Sequence, residues 1–132
     1  MALVPLIEYD AASPAVRAVY DDIMATRKVP AVNNFWKALA NDPANLARVW
    51  ADVKSVMGPG ALDPLVKEMI YIAVSTAHGC NYCVHSHTAS ARAKGLTPEQ
   101  HAELLAVIAM ASQTNALATA LAVPVDERFD AR

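Results

Sequence analysis

Both cysteines of this chain and three of its four histidines fall in one stretch, His78-Gly79-Cys80-Asn81-Tyr82-Cys83-Val84-His85-Ser86-His87. Two thiols spaced C-x-x-C outside an oxidising compartment are redox-active or metal-binding more often than they are a structural staple. Gly79 reads as the end of one helix, and the next begins at or just before Cys83, which places both thiols against a helix N-terminus. Unpaired amides and the positive end of the helix dipole favour thiolate over thiol there. His87 follows Cys83 by four residues, one turn along the same face, within reach to take or return a proton. Thiols so spaced can also close into a disulfide once one of them is oxidised.

Glu68 belongs with this group. It is the only acid in the apolar segment that runs into the motif, and a carboxylate there is costly unless it is paired or hydrogen-bonded. It is placed to orient His87 or to relay a proton from it. Two nominations for the attacking thiol stand side by side. The order seen in thioredoxin-type sites points to Cys80, and the nearby base points to Cys83.

Other readings of the same residues are blander. His78, Cys80, Cys83 and either His85 or His87 supply enough donors for tetrahedral zinc. Structural zinc sites, however, draw a second ligand pair from a separate turn, and this chain offers only the distant His101. Covalent haem attachment requires histidine after the second cysteine, where Val84 stands. His85 lies about 200° from Cys83 on a helical wheel and faces solvent or a subunit interface. His78 fits the end of the preceding helix, and His101 a polar first turn at the surface. Trp36, Trp50 and Tyr71 fall on apolar helical faces and read as packing.

The elements that must position these groups are well punctuated. Ser13-Pro14, Asp42-Pro43, Asp63-Pro64 and Thr97-Pro98 each pair a capping side chain with a proline that tolerates the first helical position. Thr97-Pro-Glu-Gln100 is also a capping box. Gly58, Gly79 and Gly95 stand where left-handed helix ends are expected. Between these marks the apolar period is helical. Helices are predicted over about 14–27, 33–41, 43–57, 64–78 and 83–94, then 98–111. A polar break at Ser112–Asn115 precedes an alanine-rich helix to about Ala122, and the tail Pro124–Arg132 is loose or packs on a neighbour. Residues 64–78 are apolar nearly all round and read as a central buried helix. No window alternates long enough for a strand. The expectation is all-α, one compact multi-helix domain over residues 1–132.

Hydrophobic residues make up 55% of the 132 and charged ones 18%. A domain this small cannot hide so much apolar surface alone, so a homo-oligomer (dimer, trimer or hexamer) is expected. The net charge of -2, with 11 basic and 13 acidic residues interspersed, leaves no footprint for nucleic acid or an anionic membrane. The N-terminus lacks the basic start of a signal peptide, and the longest strongly apolar run, Leu104–Ala111, falls short of the roughly 18 residues that cross a bilayer. The expected location is cytoplasmic.

Glu68, eleven intervening residues, then Cys80-x-Tyr82-Cys83-x-x-x-His87 resembles the signature of the alkylhydroperoxidase D-like group, within the carboxymuconolactone decarboxylase superfamily. The Asp-Pro start before the Glu68 helix and the Gly-Cys corner fit the same pattern. The resemblance implies a homo-oligomeric thiol hydroperoxide reductase without metal or haem. Cys83 would be the peroxidatic thiol and Cys80 the resolving one, with Glu68 and His87 in the proton relay. Tyr82 stands where the founding enzyme of the group carries histidine. A phenol, with an ordinary pKa of about 10, can pass a hydrogen bond but is a poor base at neutral pH. No cofactor is implied. The substrate would be a hydroperoxide, and the reductant an external dithiol of lipoyl or thioredoxin-like type. The alternatives are a metal-binding or assembly module on the same fold, or a decarboxylase- or isomerase-like enzyme of the superfamily. Members with that last chemistry generally lack the paired cysteines.

Overall fold

A computed structural model of the chain describes residues 1–129 and is all-helical, with no β-strand among the described residues. Its contacts form two compact units, Met1–Gly58 and a second from Pro59 onward.

The first unit holds a single 3-10 turn at Tyr9–Ala11 and three helices, α1 (Pro14–Arg27), α2 (Asn34–Leu39) and α3 (Pro43–Met57). Ser13 and Asp42 cap α1 and α3 as their sequence context predicts, accepting from Val16 N and Asn45 N at 3.3 and 3.0 Å. The apolar stripes of α1 and α3 meet around Tyr20, Ile23, Leu46 and the two tryptophans, all buried. Trp36 and Trp50 pack edge to face, ring centres 5.4 Å apart, an arrangement favoured by the ring quadrupoles. Trp50 donates its indole N–H to Asp22 Oδ2 at 2.7 Å. These two tryptophans are core, as expected.

The second unit is built from α4 (Pro64–Ala77), α5 (Asn81–Ala93) and α6 (Pro98–Ala120), followed by a 3-10 turn at Glu127–Phe129. Asp63 accepts from Leu65 N at 2.8 Å. Thr97 and Gln100 close the expected capping box, at 3.1 and 3.0 Å. α5 folds back along α4, and α6 packs on α4 around Ile72, Ala91 and Leu96.

Three expectations are corrected here. Ser112–Asn115 does not break a helix, and α6 runs through it. The Ser112 hydroxyl bonds back to Ile108 O at 2.9 Å and the Thr114 hydroxyl to Met110 O at 3.1 Å, so the polar groups are satisfied within the helix they were read as ending. α4 is not buried all round. Its buried residues are Glu68, Ile72 and Ser75, while Val66, Ile70 and Val74 are exposed. Gly58 is not left-handed, with φ -69°. A Cβ there would come within 2.9 Å of Lys54 O, so close backbone approach accounts for the glycine. Of the tail, Asp130–Arg132 lie outside the described residues.

Gly79 and Gly95 do take positive φ, +68° and +96°, and each closes a Schellman motif. After α4, Cys80 N donates to Ser75 O at 2.9 Å and Gly79 N to Thr76 O at 3.1 Å. After α5, Leu96 N and Gly95 N bond to Ala91 O and Arg92 O, both at 3.0 Å. Nothing lies within 4 Å of a Cβ built on Gly79, so substitution there tests the backbone alone. Gly79→Ala is expected to cost about 1 kcal/mol of stability, with Gly79→Asn costing less. Denaturant unfolding of the three proteins checks this, and equal midpoints for wild type and Gly79→Ala would contradict the left-handed corner.

Candidate active site

Cys80 serves two helices at once. Its N–H completes the end of α4, and its side chain is the N-cap of α5, with Sγ accepting from Cys83 N at 3.2 Å. α5 therefore starts at Asn81, two residues before Cys83. The two cysteines are joined as a disulfide, their Cα atoms 5.3 Å apart. Cys80 and Cys83 are half-buried, and Tyr82 between them is exposed. His85 is exposed as expected.

One turn further along α5 lies a polar seam. Glu68, on α4, is buried with 4% of its surface exposed. Three donors from α5 and its C-cap meet it. His87 Nδ1 lies 2.7 Å from Oε2, the Ser90 hydroxyl donates to Oε1 at 2.7 Å, and the Lys94 ammonium donates to Oε1 at 2.9 Å. Lys94 also donates to Ser90 Oγ at 2.8 Å. Burial pushes the Glu68 carboxyl up, but the hydrogen bonds from His87, Lys94 and Ser90 and the Lys94 charge outweigh it and hold the group at about 2.

That ionisation fixes the imidazole. A carboxylate has no proton to give, so the 2.7 Å contact requires His87 Nδ1 to be the donor. In the neutral ring the lone pair is then on Nε2, the nitrogen free to act as a base. Tyr71 stacks on the same ring with centres 3.7 Å apart and planes 18° from parallel, and so holds the plane in which Nε2 lies.

The sequence reading thus paired Glu68 with His87 and Cys80 with Cys83, and the structure brings both pairs together. It missed Ser90, Lys94 and the role of Tyr71. Ser90 and Lys94 had a readable signal. With Cys83 and His87 they form a stripe at steps of four, three and four along α5, one helical face. Tyr71 read as packing, and its packing is against the imidazole. Of the zinc reading, among the described residues no three His, Cys, Asp or Glu side chains gather in an arrangement that could hold a metal.

Because the Glu68 pKa is lowered from its ordinary 4.5 to about 2, its ionised form stabilises the fold above about pH 4.5. That contribution is lost as pH falls from there through 2. Lys94→Met removes one of the groups that lower the pKa, so its acid unfolding should begin at higher pH than in wild type. Thermal unfolding between pH 2 and 6 checks this. Parallel curves for the two proteins would show that Lys94 does not stabilise the carboxylate.

A model of the carboxymuconolactone decarboxylase family matches residues 43–126, which includes the corner and the polar seam. The crystal structure of the alkylhydroperoxidase AhpD core from Rhodospirillum rubrum is similar over 100% of this chain and 99% of that one, with a TM-score of 0.96 and 61% sequence identity. An uncharacterised protein of Cupriavidus necator is 35% identical over 77 residues, 58% of this chain and 68% of that protein. The alkyl hydroperoxide reductase AhpD of Mycobacteroides abscessus is 42% identical over 66 residues, 49% of this chain and only 38% of that enzyme's length. This chain belongs to the carboxymuconolactone decarboxylase family.

Proposed function

We propose that this protein is a thiol-dependent hydroperoxide reductase, in which the Cys80–Cys83 pair cycles between dithiol and disulfide. The observation that carries the reading is the placement of that pair at the start of α5, one turn before a histidine whose Nδ1 is committed to a buried carboxylate. The described state is the oxidised end of the cycle.

In the reduced enzyme His87 Nε2 accepts the Cys83 thiol proton. The thiolate attacks the distal oxygen of the hydroperoxide, an S–O bond forms, the O–O bond breaks, and the alkoxide leaves and takes that proton as alcohol. The Cys80 thiolate then attacks Cys83 sulfur. The S–S bond forms, hydroxide leaves and takes the Cys80 proton as water. Two thiols have supplied two electrons. An external dithiol, of lipoyl or thioredoxin-like class, returns the pair to its reduced form by exchange. The hydrogen bond from Cys83 N to Cys80 Sγ supports Cys80 as the stabilised thiolate, both when it resolves the sulfenic acid and when it departs from the disulfide. Tyr82, exposed at the corner, is assigned a supporting role in passing a hydrogen bond. No cofactor enters the cycle.

The exposed apolar residues of α4 and α6, among them Val66, Ile70, Val74, Leu105 and Met110, support assembly into a homo-oligomer. No helix among the described residues is long and apolar enough to cross a membrane, and a cytoplasmic location is part of the same reading. The chain spans little more than a third of the length of the M. abscessus enzyme it matches.

Intact mass and thiol counting after one equivalent of an organic hydroperoxide test the cycle. The reduced protein should lose both thiols and two hydrogens. Cys80→Ser should stop at a sulfenic acid on Cys83, and Cys83→Ser should lose turnover. Full activity in Cys83→Ser would overturn the assignment. His87→Asn should lower the rate of peroxide reduction by about 10²–10⁴-fold, the usual worth of a positioned base.

A further inference from the structure

The seam holds one more charge than a carboxylate–imidazole pair needs. Glu68 is a buried anion with two nitrogen partners, His87 on Oε2 and Lys94 on Oε1. A buried carboxylate requires a compensating cation, and either partner could supply it. If His87 did so it would be an imidazolium, with protons on both nitrogens, and could not accept one from a thiol.

We infer that Lys94 is a positioning residue that keeps His87 neutral, by serving as the permanent cation for Glu68 and confining His87 to a single hydrogen bond on the other oxygen. This rests on the hydroperoxide reductase reading for its purpose, but the electrostatic assignment stands on the geometry. The Lys94 ammonium reaches Oε1 from the C-cap of α5, and Ser90, one turn earlier, accepts from it and donates to the same oxygen. Oε1 is thereby filled and Oε2 is left to Nδ1. With Lys94 in place the cluster of Glu68, Lys94 and neutral His87 has no net charge. Protonating His87 would make it +1 and set two cations on one carboxylate, which like-charge repulsion opposes.

The groups that face His87 are few. From α4, Glu68 bonds to it and Tyr71 stacks on it; Ser90 and Lys94 meet the same carboxylate, and Cys83 lies one turn back along α5. α6 packs on α4 and carries Glu99, His101 and Glu103, none of which shares a hydrogen bond or ion pair with the cluster among the described residues. Removal of the Lys94 charge therefore leaves His87 as the nearest group able to become the partner cation.

The test is the titration of the His87 ring, followed by nitrogen-15 NMR on the reduced full-length protein. In wild type the neutral ring should carry its proton on Nδ1. Lys94→Met should raise the His87 midpoint by about one pH unit or more, a tenfold or larger shift toward imidazolium. Lys94→Arg, which restores the charge, should return it toward wild type. The acid limb of the pH–rate profile for cumene hydroperoxide reduction should move up with the NMR midpoint in Lys94→Met. A His87 midpoint that is unmoved or lowered in Lys94→Met, with the fold intact by circular dichroism, would overturn the inference. If Lys94→Met does not fold, Lys94→Gln and Ser90→Ala serve as milder variants. Lys94→Gln should raise the midpoint, Ser90→Ala should raise it less, and no shift in either overturns the inference. A shifted midpoint in a protein that consumes no hydroperoxide would leave the Lys94 assignment standing and sink the reductase reading instead.

Discussion

The second unit depends on a carboxylate that has been taken out of water. Glu68 is buried in α4, and its burial would cost several kcal/mol if nothing met it. Among the described residues, what meets it comes from α5 and its C-cap, at positions 87, 90 and 94. Those positions share a face only while α5 stays helical, and they reach Glu68 only in one register of α5 against α4. Sliding either helix by a turn would leave an unpaired buried charge on one side and unsatisfied donors on the other. Apolar contacts around Ile72 and Ala91 favour burial in general, but they discriminate weakly among registers. The polar seam supplies that discrimination.

The same register fixes the chemistry at the other end of the hairpin. Three residues, His78 to Cys80, lie between α4 and α5, so the corner has almost no slack. A left-handed Gly79 turns the chain, and Cys80 is tied to Ser75 behind it and to Cys83 ahead of it. With α5 started at that point, Cys83 and His87 fall on one face a turn apart. The two cysteines and the imidazole are thus placed by backbone hydrogen bonds and helix geometry, on rigid elements rather than on a mobile loop.

Much of this was legible in the sequence because it is local. A proline after Ser, Asp or Thr marks a helix start through the missing N–H and the capping oxygen, and all four starts appear where the sequence put them. The C-x-x-C corner and its glycine are equally local. What the sequence hid involves choices made elsewhere. Ser112 and Thr114 have hydroxyls that serve a turn or a helix equally well, and α6 absorbed them. Gly58 carries no sign of whether it serves a positive φ or a close carbonyl. Tyr71 lies on an apolar stripe, and period alone places a ring on a face without naming its neighbour. Lys94 stands at a helix end, an ordinary place for lysine, and nothing in the sequence shows that Glu68 lies opposite it.

Stability alone does not account for the seam. Replacing a buried ion pair with well-packed apolar side chains is often neutral or stabilising, and α4 is already apolar enough to carry such a replacement. A leucine at 68 facing alanine or leucine at 87, 90 and 94 would pack without charges to desolvate. What an apolar seam could not do is name one register, or hold an imidazole in one tautomer with its proton on the carboxylate side. Both properties come from the two oxygens of Glu68 having different partners, a hydroxyl and an ammonium on one and a ring nitrogen on the other. The cost of burying the charge is the physical condition for an imidazole of fixed orientation one turn along α5 from Cys83.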